Sequence, residues 1–474
     1  MKNTFVLRKW QKQCVQQVLR KYRQGKRHFL CLATPGAGKT LMAAEVAKQL
    51  LDRKNIEFVL CFSPSKIVAR DFQITLEKHL RNRLDGALGS IGSSYTYQGM
   101  QSIPPEIWKL LESFNVLVIF DEIHHCSGSK EEGANVWGQT ILNRINQKAA
   151  FSLALSGTPW RSDNLPIVLS EYYDGRISCD FVYGLSESIK DNVCRRPQII
   201  AIDNDRIIYQ PHEGDRQTFK CFSDLLNETT IPYQRLVETR SFNEQMLKVA
   251  DKKLTGIRRT VPNAGGLVVA TSVSHAQQIY SYIKNTLKKS VTVVSYRDNN
   301  ATSIIQNFKN DTTVWIVSIG MISEGTNIPR LQVCCHLTRI KTELHFRQIL
   351  GRIIRSNAIE KTNAYLYIPA HADLVAYATR VAEDIPDVCG VFQQIAGNGI
   401  PNDELPELHM TAYESTVTSH DQLLLGTQGN SFDSQECNEK RPATVSTLLR
   451  DYDCSLDVSG RYKKQVIAFS SPLS

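Results

Sequence analysis

Ala33-Thr34-Pro35-Gly36-Ala37-Gly38-Lys39-Thr40 sets two glycines, a lysine and a hydroxyl at the spacing of a loop that closes around phosphate oxygens. Gly36 and Gly38 let backbone N–H groups approach an anion, and the helix that follows adds the positive end of its dipole. Lys39 would hold the β and γ phosphates of a nucleoside triphosphate, and Thr40 a magnesium ion. The first position is Ala33 where Gly is usual, which leaves these demands in place. The alternative is a glycine turn that opens a helix beside an incidental Lys-Thr. Further on, Asp121-Glu122-Ile123-His124 follows the apolar run Val116 to Phe120. That puts two carboxylates at the carboxyl end of a buried strand, where ligands bind in open α/β sheets. Asp121 would orient magnesium, and Glu122 would polarise a water for in-line attack on the γ-phosphate. An Asp-Glu pair after a strand is by itself often a solvated strand end; the phosphate loop upstream favours the catalytic reading. His124, His125 and Cys126 are successive and cannot all converge on one metal ion, so a polar coupling role suits His124 better.

The elements that must position these groups are visible as a rhythm. Phe29 to Ala33, Leu41 to Leu51 and Phe58 to Phe62 alternate a short apolar run, a helical pattern and another apolar run, as buried parallel strands with crossover helices do. A second series begins at Gly266 to Ala270, continues through Val291 to Val294 and Val314 to Val317, and ends near Ala364 to Ile368. A helix over Phe242 to Thr260 leads into it. The expected architecture is α/β, with a first lobe over 1–187, a linking or inserted segment over 188–255, a second lobe over 256–396 and a C-terminal tail over 397–474. After about Gly397 the pattern weakens into Asn, Asp, Ser, Thr and Gln, so the tail is a small appendage or largely disordered.

Asp121 to His124 resembles the DExH signature of superfamily 2 helicases and translocases, and further signatures of that superfamily follow one another over about residues 7–356. Leu7-Arg8-Lys9-Trp10-Gln11 resembles the segment ahead of the phosphate loop, where the resemblance gives Gln11 the reading of adenine. Ser63 to Lys66 and Thr96-Tyr97-Gln98 resemble strand-contacting segments. Ser156-Gly157-Thr158-Pro159 looks like the S/T-A-T motif that couples the lobes, with Gly157 in place of Ala. Ser323-Glu324-Gly325 with Asn327-Ile328-Pro329 resembles motif V, and Gln348, Gly351, Arg352 and Arg355 resemble motif VI. Ala264 to Ala270 and Tyr183 to Arg195 look like bacterial helicases related to type III restriction subunits. The resemblance implies two tandem RecA-like lobes, parallel sheets with flanking helices, with ATP and Mg2+ between them. It implies Gly325 at the nucleotide, Gln348 in the catalytic set, and Arg70, Thr96, Gln98, Thr271 and Thr326 as phosphate or sugar contacts to nucleic acid. Each of these last five could equally be a cap or loop residue. Arg352 and Arg355, three apart on a helix, lie on neighbouring positions of one face. Either could reach a γ-phosphate across a closed cleft, or both could be surface charges.

The chain has 474 residues, 42% hydrophobic and 22% charged, an ordinary globular composition for two to four domains. Apolar runs reach five residues where a membrane span needs about 20, so no membrane partner is expected. Twelve cysteines, scattered without a C-x-x-C pair, point to a reducing compartment, read as bacterial cytoplasm. The net charge is +9, with 50 basic and 36 acidic residues before Pro401 and 6 and 11 from there on. A basic body suits a polyphosphate partner, though it is also what a solvated surface looks like. The first 28 residues hold nine Lys or Arg and no acid. Trp10, Cys14, Val15, Val18, Leu19 and Tyr22 fall on one helical face there, so this is read as a basic amphipathic helix of the folded body.

Three functions compete. The first is an ATP-driven DNA translocase or helicase, possible as the motor of a restriction or phage-defence complex with a nuclease partner. The second is a nucleic-acid-stimulated ATPase switch that clamps or remodels a partner. The third is an RNA helicase. Gln348 at the head of motif VI and the restriction-type resemblance tilt the reading to DNA.

Overall fold

The computed structural model describes residues 6–129, 133–158, 166–174, 176–211, 214–320, 327–356, 362–383, 390–396 and 455–469. In the first lobe the strands are His28–Ala33 (β1), Phe58–Ser63 (β2), Gly92–Thr96 (β3), Val116–Asp121 (β4), Phe151–Ser156 (β5) and Phe181–Tyr183 (β6). They form an all-parallel sheet in the order β6-β1-β5-β4-β2-β3. Helices Lys9–Arg23 (α1), Lys39–Asp52 (α2) and Lys66–Leu80 (α3) accompany it.

Every residue of β4 is buried, because alternate side chains serve two cores. Val116, Val118 and Phe120 pack with Tyr97, Met100 and Trp108 on one face, while Leu117 and Ile119 pack with the apolar sides of α2 and α3 on the other. No side of β4 is left for water, so the first polar residues after the run, Asp121 and Glu122, emerge at the sheet's carboxyl edge. The basic N-terminal stretch is α1, with Trp10, Cys14, Val15, Val18, Leu19 and Tyr22 buried. Trp10 stacks on Tyr183 with ring centroids 4.8 Å apart, tying the helix to the edge strand β6.

The second sheet has eight strands: Arg196–Asn204 (β7), Gly265–Ala270 (β8), Val291–Ser295 (β9), Trp315–Ile319 (β10), Leu331–Leu337 (β11), Asn363–Pro369 (β12), Gly390–Ala396 (β13) and Tyr462–Phe469 (β14). Their order is β9-β10-β8-β11-β12-β7-β14-β13. From β9 to β7 all pairings are parallel; β14 and β13 extend the sheet antiparallel. Helices Arg240–Arg258 (α4), Val273–Asn285 (α5) and Glu343–Ile353 (α6) belong to this lobe. The fold is two tandem α/β lobes of the RecA-like kind.

The stretch 188–255, read from the sequence as linking or inserted, supplies β7 to the second sheet, with Arg196 opposite Asn363 and Ile202 opposite Pro369. Within the tail, residues 455–469 return to this region, Val466 pairing with Ile200 and Val458 with Ile207. Residues 397–454, where the weakest patterning lies, are outside the described residues. Among the described residues no helix is long and apolar enough to cross a membrane.

Ile467 is 1% exposed on β14. Ile467→Ala should therefore cost about 2–5 kcal/mol of stability, measured by denaturant unfolding. An unchanged midpoint would contradict the docking of this strand.

Candidate nucleotide site between the lobes

The phosphate loop runs from the end of β1 to the start of α2, and its two glycines are in the left-handed region, with φ of 87° at Gly36 and 97° at Gly38. Gly36 also has no room for a side chain, since a Cβ there would lie 2.7 Å from Cγ of Arg355 in the second lobe. The loop is held from behind by α1. Arg8 donates from Nη1 to the Ala37 carbonyl at 2.7 Å, Gln11 donates from Nε2 to the Gly38 carbonyl at 2.8 Å, and Gln11 Oε1 accepts from the Arg8 N–H at 2.7 Å. Thr34 and Ala37 face inward: the Thr34 N–H donates to the Tyr183 carbonyl at 3.0 Å, and Ala37 is fully buried.

Lys39 opens α2 with its ammonium nearly enclosed, at 9% exposure. Nζ donates to the Ala33 carbonyl at 3.1 Å and pairs with Glu122 Oε1 at 3.1 Å. Glu122 has a left-handed backbone, φ 52°, a conformation that costs a residue with a side chain about 1–2 kcal/mol. Its other oxygen accepts from the Gly157 N–H at 3.0 Å and lies 3.4 Å from His124 Nδ1. Burial alone would push the Glu122 carboxyl up; Lys39, His124 and the Gly157 N–H outweigh it and hold the group well below the usual carboxylate range. Asp121, one residue earlier, moves the other way. Burial and the neighbouring Glu122 charge raise it, against the pull of Lys39 and Arg355. Two adjacent carboxylates thus have opposed proton affinities.

Around this pair the sequence-predicted coupling residues converge. His124 Nδ1 lies 3.0 Å from Ser156 Oγ and 3.4 Å from Thr158 Oγ1, and the Thr158 N–H donates to Ser156 Oγ at 3.1 Å. The departure from Ala at Gly157 has a steric reason, since a Cβ there would stand 3.0 Å from Pro35 Cγ and 3.2 Å from Lys39 Nζ. Tyr97, lying between the predicted contact residues Thr96 and Gln98, donates from its hydroxyl to the Asp121 carbonyl at 2.8 Å.

The second lobe completes the cleft. A cavity of about 860 Å³ is lined from the first lobe by Gln11, Pro35, Gly36, Gly38, Lys39, Thr40, Asp121, Glu122, His124 and Thr158, and from the second by Asn327, Gln348, Arg352 and Arg355. Arg352 is buried on α6 and Gly351 lies against Pro35. Arg355 donates from Nη1 to Asn327 Oδ1 at 3.0 Å and from Nε to the Gly351 carbonyl at 3.3 Å. Burial works against its charge; Glu122, Asp121 and Asp71 work for it.

Thr40 and Asp121 bring hard oxygen donors to the same cleft, which fits magnesium. That ion keeps water and phosphate oxygens and needs only one or two protein ligands. Among the described residues no group of three or more His, Cys, Asp or Glu forms an all-protein metal cage.

The proposed strand contacts stand elsewhere. Thr96 Oγ1 accepts from the Gly99 N–H at 3.0 Å, Thr271 Oγ1 donates to Glu238 Oε1 at 2.5 Å, and Arg70 Nη1 donates to Gln73 Oε1 at 3.1 Å. Gln98 is exposed. Thr96 and Thr271 sit at the carboxyl ends of β3 and β8, one in each lobe. Gly325 and Thr326 lie outside the described residues. Arg8 and Asn327 are the site residues whose roles the sequence reading left unassigned; both fall inside segments it quoted, beside Gln11 and in the motif V stretch.

Residues 4–161 match the family model of the type III restriction enzyme res subunit, and residues 251–357 match the helicase conserved C-terminal domain. The fold is similar to that of a fragment provisionally described as an HsdR subunit of a type I restriction enzyme from Vibrio vulnificus YJ016. That similarity has a TM-score of 0.55 at 16% identity over 79% of this chain and 66% of that one. The type ISP restriction-modification enzyme LlaBIII, solved bound to DNA, gives a TM-score of 0.51 at 14% identity over 81% of this chain and 30% of that one. Uncharacterized protein Rv2917 of Mycobacterium tuberculosis is 30% identical over 388 residues, 79% of this chain. The chain spans 63% of the length of that relative. A res-subunit domain followed in tandem by a helicase C-terminal domain, on this two-lobe fold, supports a superfamily 2 helicase related to type III restriction res subunits.

Arg8→Ala combined with Gln11→Ala removes both clamps on the phosphate loop. At about 1 kcal/mol for each hydrogen bond, affinity for a fluorescent ATP analogue should fall about tenfold or more. Unchanged affinity would show that the loop holds its shape without α1.

Proposed function

We propose that the protein is an ATP-driven motor on nucleic acid, with DNA as its track. The observation that carries this reading is Arg355, which reaches from the second lobe onto the phosphate loop of the first, in the same cleft as Lys39 and Glu122. A site split between two bodies makes hydrolysis depend on how those bodies sit, and that dependence is what a motor requires.

In this reading ATP enters with its adenine near Gln11 and its phosphates on the N–H groups of the loop. Lys39, paired with Glu122 before nucleotide binds, turns to the β and γ phosphates and releases the Glu122 carboxylate. Glu122, still held by the Gly157 N–H and kept ionised, orients the attacking water. Thr40 and Asp121 would hold magnesium, which neutralises charge on the β and γ oxygens when bound. Arg352 and Arg355 meet the charge that develops on the transferred group, a contribution worth about 10³ to 10⁵ in rate. His124, Ser156 and Thr158 pass the state of the γ-phosphate to the outer face, where Thr96, Gln98 and Arg70 of one lobe and Thr271 and Thr326 of the other grip the backbone. Gly325 joins the nucleotide side. Alternation of grip between closed and open lobes moves the chain along the strand without reading bases.

DNA is preferred because motif VI opens with Gln348 and the first domain matches a restriction res subunit. The same match supports a role as the motor of a restriction or phage-defence assembly, with cleavage supplied by a nuclease partner.

Glu122→Gln and Lys39→Ala should each abolish turnover; rates near wild type would contradict the assignment. Binding to DNA should weaken steeply between 50 and 200 mM salt, by about 10³-fold or more if six phosphates are engaged, and insensitivity to salt would refute backbone tracking. Stimulation of the ATPase by single-stranded DNA, duplex DNA and RNA, measured alongside strand and triplex displacement, tests the function as a whole. DNA stimulation with displacement is expected. Stimulation without displacement would make the protein a clamp, and a requirement for 2′-hydroxyls would make it an RNA enzyme.

A further inference from the structure

Arg195 lies on the segment that joins the lobes, one residue before β7, and its side chain is 7% exposed. The guanidinium faces the carboxyl end of α6. Nη1 points to the Ile353 carbonyl at 3.2 Å and to the Arg355 carbonyl, and the backbone N–H of Arg195 donates to the Ile354 carbonyl at 2.7 Å. The last carbonyls of a helix have no partner within it, and a cation there also meets the negative end of the helix dipole. One residue therefore engages three successive carbonyls, those of 353, 354 and 355.

The same guanidinium reaches the loop that carries the side-chain partner of Arg355. Nη1 lies 2.9 Å from the Pro329 carbonyl and 3.1 Å from that of Leu331, just beyond Asn327, while Nε donates to Thr362 Oγ1 at 2.9 Å. Cys194, the neighbouring residue, bridges to Arg355 and places Sγ 3.8 Å from the Pro35 carbonyl in the phosphate loop. Both the backbone of Arg355 and the loop under Asn327 are thus anchored to one buried fork, on the chain segment that must move when the lobes rotate.

We propose that Arg195 is a positioning residue for ATP turnover: it fixes Arg355 against the phosphate loop and ties that placement to the interlobe connection. The proposal rests on the arginine-finger reading of Arg355. Lysine cannot replace it, because an ammonium lacks the second, rigidly placed donor: Nε, held by Thr362 Oγ1, fixes the plane that sets Nη1 among the four carbonyls.

The test is steady-state ATPase on the full chain with DNA, comparing wild type, R195K, R355A and the double variant, with affinity for a fluorescent ATP analogue measured in parallel. R195K should lower kcat by about 10- to 100-fold, the scale of a displaced catalytic group, while KM for ATP and analogue affinity stay within about threefold. In the R355A background R195K should cause no further loss, since both changes remove one function. A kcat for R195K within about twofold of wild type while R355A is inactive overturns the proposal, as does the same fold loss in both backgrounds. Should R195K fail to fold, Thr362→Val, which removes only the Nε acceptor, is expected to lower kcat about threefold or more, and an unchanged kcat overturns the proposal. Wild-type turnover by R355A would instead overturn the finger reading itself.

Discussion

Gly36 has no side chain because Arg355 occupies the space one would fill. That close approach between a glycine of the first sheet's phosphate loop and an arginine just beyond α6 of the second lobe sets the geometry of the cleft. The loop's left-handed glycines, its restraint by Arg8 and Gln11, and the contact of Gly351 with Pro35 all serve a seam in which neither lobe holds a complete site. Gly157 lies at the same seam, where a methyl group would be a tight fit against Pro35 and Lys39.

Electrostatics then divides the work between two adjacent carboxylates. Both stand at the end of a strand buried on its two faces, yet Glu122 has a lysine, a histidine and a backbone N–H aimed at it, whereas Asp121 has burial and a like charge beside it. Glu122 is therefore the one kept ionised, as the proposed role in orienting a water requires. Asp121 gains most from an arriving cation, which would offset both of the effects that raise it. Lys39 is paired with the Glu122 carboxylate, and in the proposed function its transfer to an incoming phosphate would link substrate arrival to release of the base.

Much of this was legible in the sequence because it is local. A phosphate loop is set by eight consecutive residues, and β4 with its acidic end is set by an apolar run followed at once by Asp and Glu. The signals that failed were those between distant segments. Strand β7 reads poorly alone, since Arg196, Pro197 and Gln198 precede its apolar stretch, and only pairing with β12 and β14 explains it. Residues 462–469 resemble a polar tail because Lys463, Lys464 and Gln465 open the strand; its partners, β7 and β13, lie about 260 and 70 positions earlier. Arg195 falls in a segment quoted for resemblance, but three successive carbonyls waiting at the end of another helix leave no mark in its own neighbourhood.

The central claim is that the second lobe completes the nucleotide site of the first. The most direct measurement is a structure of the protein with DNA, magnesium and ADP–beryllium fluoride. The account predicts the Arg355 guanidinium within hydrogen-bond distance of the fluoride group, Lys39 moved from Glu122 to the phosphates, and a water on Glu122. Arg355 still bonded to Asn327 and turned from the nucleotide, with Lys39 still on Glu122, would contradict it.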